Sequence, residues 1–155
     1  MTDIDYRSCV QRLFHESMKI ILEPLKKAGE KGVKIRNSQG EIRQVHPFLC
    51  CYVVDYPEQC WVSCTKYGTC PKCRQKAENL ESILKAGART SQWTKLVILE
   101  AKEKALDFFS AFHSACMDKE VAGRTYDSFW SNLPFTDIHK AITPDVLHQL
   151  YQGVF

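Results

Sequence analysis

Phe48-Leu49-Cys50-Cys51-Tyr52-Val53-Val54-Asp55-Tyr56-Pro57 is the stretch on which the fold of this chain turns. The run 48–54 is apolar without alternation, the mark of a strand buried on both faces. Asp55 ends it, and Pro57 forbids simple continuation, because proline lacks the ladder donor and fixes its own φ. In open α/β sheets, sites gather where strands end and the backbone turns outward. Asp55 is therefore a candidate site residue. An acid in this place serves equally well as a turn cap. One carboxylate also cannot hold the two divalent ions, about 3.5–4 Å apart, that phosphoryl transfer uses.

Upstream of this strand, Val10, Leu13, Phe14, Ser17, Met18, Ile21 and Leu25 recur at threes and fours, which predicts an amphipathic helix over 6–27 ended by Gly29 and Gly32. Asn37-Ser38-Gln39-Gly40 between 33–36 and 41–45 reads as the turn of a β-hairpin. Downstream, 58–64 fits a short helix after proline, and helical patterns follow over 76–86 and 92–119. In the second of these, Ala105, Phe108, Phe109, Phe112, Ala115 and Cys116 form an apolar stripe assigned to the core. Thr143-Pro144-Asp145 predicts a final helix with Thr143 as N-cap, running to Phe155. That ending reads as a cut through an element. The class is α/β.

With 155 residues, 45% hydrophobic and 11% aromatic, the chain can bury a real core. It shows no apolar run of about 18 residues, and a polar, acidic start replaces the basic and greasy opening of a signal peptide, so an intracellular protein is expected. The net charge of +3 argues little about nucleic acid. The segment 66–95, however, carries seven basic residues against Glu78 and Glu81, a stretch that could touch phosphates or simply form a solvated helix face. No Ser-His-Asp arrangement, phosphate-binding glycine loop or His-Glu-x-x-His motif is present.

Five of the eight cysteines, Cys51, Cys60, Cys64, Cys70 and Cys73, cluster within 51–73. In a reducing compartment such clustering points to metal ligands or buried thiols before disulfides. Cys70-Pro71-Lys72-Cys73 puts two sulfurs within reach of one ion, in a turn suited to a zinc knuckle. A redox dithiol and a pair of ordinary thiols are the rival readings. Two further ligands would have to come from Cys60, Cys64, His139, His148 or residues outside the sequence. Cys60 and Cys64, four apart on a presumed helix, would face the same way, or else pack beside Trp61 as small hydrophobes. His148 sits near Asp145, which could orient its ring.

Taken together, Arg12-Leu13-Phe14-His15, Ile21-Leu22-Glu23-Pro24-Leu25, the 52–60 stretch around Asp55 and Cys70-Pro71-Lys72-Cys73-Arg74 resemble the Plavaka-type transposases of fungal genomes. So do Phe129-Trp130-Ser131-Asn132-Leu133-Pro134, Thr136-Asp137-Ile138-His139 and the block 143–155. The resemblance implies a CACTA-like enzyme whose RNase H-like domain binds two Mg²⁺ or Mn²⁺ ions through three acids, interrupted by a helical insertion holding structural Zn²⁺. On this mapping Asp55 matches the second catalytic acid, Cys70 and Cys73 one half of the zinc site, and His148 one of its histidines.

The first acid and the last glutamate have no counterpart in the 155 residues. The expectation is thus an internal fragment: residues 1–64 an incomplete RNase H-like core made of the hairpin and the buried strand, and 65–155 a largely helical zinc-containing insertion. Its parent would cut and join DNA at transposon ends in the nucleus, whereas the fragment alone would be inactive and marginally stable. The alternative is a zinc-stabilised DNA- or protein-binding module, a monomer or homo-oligomer without enzymatic activity.

Overall fold

The long first helix decides how the rest is arranged. The computed structural model describes residues 3–79, 81–83, 86–105 and 108–145. Helix α1 (Asp3–Lys31) carries Pro24 within it and ends at Gly32, whose φ of +73° suits only glycine without strain. Gly29, expected as a terminator, lies inside the helix, where a neighbouring backbone carbonyl and a proline ring approach it closely. A Cβ there would stand 2.5 Å from Pro134 Cγ and 2.7 Å from the Pro47 carbonyl oxygen.

The buried face of α1 differs from the predicted stripe. Leu13, Ile20 and Ile21 point to solvent, while Ser8, Gln11 and His15 are buried and Phe14, Met18 and Leu22 pack against the core. The reason is hydrogen bonding. Gln11 Nε2 donates to the Trp61 carbonyl at 2.9 Å, and His15 Nδ1 accepts from the Phe129 N–H at 3.4 Å, so polar side chains dock this helix.

Strands β1 (Val33–Arg36) and β2 (Ile42–Val45) form the expected antiparallel hairpin, with Val33 opposite Val45 and Arg36 opposite Ile42. Asn37 builds the turn: its side-chain oxygen accepts from the N–H groups of Gln39 and Glu41. The hairpin is a sheet of its own, not hydrogen-bonded to the strand that follows.

That strand, β3, is Tyr52–Val54, shorter than the expected 48–54. It runs parallel to β4 (Ile142–Pro144), with Tyr52 opposite Ile142 and Val54 opposite Pro144. Burial on both faces is not what the structure gives. Phe48 and Val53 are 50% and 59% exposed, because the core covers only the side carrying Val54. Thr143 lies in β4 and does not cap a helix there. Pro144, expected as the first residue of that helix, lies in the strand as well, and the rest of the expected helix, 146–155, lies outside the described residues.

Helix α2 (Tyr56–Val62) follows β3 directly. Of the helix expected over 76–86, the described residues form only a single 3₁₀ turn, Ala77–Asn79. Backbone bonds from Arg74 N–H to the Gly87 carbonyl and from Arg89 N–H to the Lys72 carbonyl close this segment into a loop. The long pattern over 92–119 divides into α3 (Ser91–Ala105) and α4 (Phe109–Met117). Phe108, read as core, lies before the second helix and is 71% exposed.

Val97, Ile98, Ala101 and Ala105 from α3 and Phe112 and Cys116 from α4 enclose Trp130, Leu133, Ile138 and Ile142 from the last third of the chain. Trp130 Nε1 donates to the Val62 carbonyl at 2.6 Å, tying the 3₁₀ turn Phe129–Asn132 to the end of α2. A short helix, α5 (Ile138–Ala141), leads into β4. The architecture is a mixed α/β fold: among the described residues, five α-helices around one core and two separate two-stranded sheets.

Candidate functional site

Asp55 stands where the apolar strand gives way to proline, and its backbone is extended, with φ −69° and ψ 167°. Its side chain caps α2: Oδ1 accepts from the Glu58 N–H at 3.0 Å. The adjacent parallel strand ends at the same level. Asp145 N–H donates to the Val54 carbonyl at 3.0 Å, so an acid follows the last residue of each strand. Sequence reasoning could not see this neighbour, since 90 positions separate the two in the chain.

The Cys70-Pro71-Lys72-Cys73 turn forms the second focus. Lys72 N–H points at Cys70 Sγ at 3.3 Å, and the Gln75 backbone N–H reaches Cys73. Backbone N–H groups aimed at sulfur stabilise charge on it, as a bound metal would require. Burial pushes the Cys73 thiol above its ordinary range and the neighbouring Cys70 adds to this, while the Gln75 N–H and the Arg89 guanidinium act against it.

Arg89 holds the turn in place and was not anticipated. Its Nε donates to the carbonyls of both Cys70 and Cys73 at 2.9 Å each, and its guanidinium lies over the Trp93 ring and reaches Glu120 at 3.5 Å. The side chain is 2% exposed, so its charge acts in a medium poorer than water. No motif marks it in Ala88-Arg89-Thr90.

His139 packs against the same turn. Its Nδ1 bonds the Pro71 carbonyl at 2.7 Å and therefore carries the proton, leaving Nε2 to accept from the Thr94 hydroxyl at 2.7 Å. With both nitrogens hydrogen-bonded it positions the turn. Burial lowers its pKa to about 4, a shift that the Pro71 carbonyl opposes. Lys72 Nζ completes the docking by donating to the carbonyls of Lys140 and Ile142. The Cys70–Cys73 turn thus rests on the segment leading into 146–155, where His148 lies outside the described residues.

Cys60 and Cys64 do not complete a four-sulfur set. The helix stops at Val62, and Cys64 has φ 55°, so the expected one-turn spacing is lost. Cys64 turns into the core with its sulfur 3.5 Å from His15 Nε2, and burial raises both thiols. Among the described residues, no three His, Cys, Asp or Glu side chains are grouped so as to hold a metal ion. Cys70 and Cys73 fit two of the four positions of a structural zinc ion, as adjacent sulfurs with N–H support.

The model of the Plavaka transposase family matches residues 2–155, and the chain belongs to that family. No curated protein and no solved structure matches it. Among the described residues no helix is long and apolar enough to cross a membrane.

Proposed function

We propose that this member of the Plavaka transposase family is the part of a cut-and-paste DNA transposase in which a catalytic strand meets a zinc-holding insertion. The observation that carries the reading is the parallel pair β3–β4, each strand of which is followed directly by an acid, Asp55 and Asp145. Strand ends of parallel sheets are where α/β enzymes build their sites. A two-stranded parallel pair with Val53 exposed is also what the edge of a larger, RNase H-like sheet looks like. Residues 1–64 then contribute to the catalytic core and 65–155 to the insertion.

Asp55 would hold Mg²⁺ or Mn²⁺, the ions that activate water and then a DNA 3′-hydroxyl for in-line attack on phosphodiesters. Its carboxylate already has its direction set by the cap to Glu58, so it meets an ion with little further ordering. Cys70, Cys73 and His148 would hold zinc, with Arg89 and His139 fixing the turn that carries the sulfurs. Asp55 is the one acid this reading assigns to metal, Asp145 being given no such role, and one acid does not support two-ion chemistry, so residues 1–155 by themselves are proposed to be inactive in strand transfer. DNA, in the nucleus, is the partner.

The test is zinc content per chain after purification without added metal, together with binding to duplex DNA. About one zinc, lost in Cys70→Ser, and an affinity for duplex that falls steeply with salt are expected. Zinc unchanged in Cys70→Ser would remove the knuckle from the reading, and salt-independent or absent DNA binding would remove the partner.

A further inference from the structure

A cavity of about 340 Å³ opens where the first turns of α1 meet α2 and the loops around 66 and 122. Neither metal reading uses it. Gln11, which is fully buried, is among the residues that line it. Because Gln11 Nε2 donates to the Trp61 carbonyl, its other amide atom is the oxygen, and this Oε1 has no donor among the described residues. A buried acceptor without a donor is costly and rare in folded proteins.

The walls specify what would supply the donor. Trp61 and Tyr67 line the cavity with aromatic faces, Tyr67 being 69% exposed and backed by Tyr56 at 5.4 Å between ring centroids. Arg7, Lys66 and Arg124 bring positive charge to the same lining. The volume lies at the small end of ligand sites, which span about 300–1,000 Å³. A flat ring with an N–H on its edge and a phosphate attached satisfies all of these features together. We infer that this cavity takes a single nucleobase turned out of a DNA strand, its edge N–H donating to Gln11 Oε1, its face against Tyr67 or Trp61 and its phosphates beside the basic side chains. The inference rests on the DNA-binding reading above. It adds a site for unstacked DNA distinct from the strand ends and the knuckle.

The experiment compares three DNAs of equal length, about ten nucleotides, against the whole chain by fluorescence anisotropy. They are a single strand, the same strand with abasic residues in place of its bases, and the matched duplex. The intact single strand should bind about tenfold or more tighter than the abasic strand, since stacking one base on an aromatic side chain accounts for a difference of that size. Tyr67→Ala should erase most of that gap and Tyr67→Phe should keep it. Tyr67 is exposed enough that its loss leaves the core intact, which circular dichroism verifies. Gln11→Met should narrow the gap as well.

Equal affinity for the intact and abasic strands would overturn the pocket, as would a gap that survives Tyr67→Ala. If that happens while the duplex still binds with a steep salt dependence, the DNA-binding reading stands and only the pocket falls. Binding to none of the three would remove both.

Discussion

Acid should unfold this protein through its two buried histidines, and His15 gives the cleaner case. Its ring is fully buried between Phe14 and Phe129, and burial lowers its pKa from 6.5 to about 4 despite the opposing Trp61 carbonyl. The fold holds the ring neutral, whereas the unfolded chain takes up a proton as the pH drops through 6.5. Stability is therefore complete above about pH 6.5, is lost steadily below it, and stops falling on this account near pH 4. A gap of about 2.5 pH units is worth about 3.4 kcal/mol when fully expressed, and about 2.5 kcal/mol by pH 4.5.

His139 has the same direction and the same end point, so the pair removes about 5 kcal/mol by pH 4.5. Against the roughly 5–15 kcal/mol that holds a domain together, that loss is enough to unfold a marginal one. The assay is urea denaturation followed by tryptophan fluorescence at pH 7.5 and 4.5. His15→Gln keeps an amide for the Phe129 N–H and cannot take a charge in this range. It should lower stability at pH 7.5 somewhat but shrink the loss between the two pH values by about 2.5 kcal/mol. The reading is refuted if His15→Gln and the native chain lose the same stability on acidification.

Three further outcomes are expected. Phe112→Ala, which empties a fully buried site packed on Tyr126 with ring centroids 4.4 Å apart, should cost about 3–5 kcal/mol in the same denaturation experiment without altering zinc content. Trp130→Phe removes the indole N–H that satisfies the buried Val62 carbonyl, and a loss of about 1–3 kcal/mol should appear as a lower urea midpoint. Arg89→Met frees the carbonyls of Cys70 and Cys73 from their shared donor, so metal titration should show weaker zinc retention. Arg89→Lys should not restore it, because an ammonium lacks the guanidinium's planar fork and its stacking on Trp93.

Much of the local structure could be read from the chain. The hairpin follows from Asn37 and Gly40, whose turn chemistry needs no tertiary help, and the Asp55-Tyr56-Pro57 break sets the end of β3 and the start of α2. The pairing of Cys70 with Cys73 in one turn is likewise local, since two positions separate them. Which residues line the core was less legible. The predicted stripe on α1 pointed to Leu13 and Ile21, yet the helix docks through Gln11 and His15, whose partners lie 50 and 114 positions away.

The sequence by itself determined the elements whose causes are local: the hairpin turn, the paired cysteines and the strand that is followed by an acid. Tertiary structure alone decided that Arg89 and His139 hold the Cys70–Cys73 turn, that Asp145 comes to lie beside Asp55, and that Gln11, which lines a cavity, keeps an amide oxygen without a donor among the described residues. The physical reason is that contacts between distant segments set all three, as the first shows most plainly. A buried polar group must find its partner wherever packing brings one, and the chain's order carries no record of that distance.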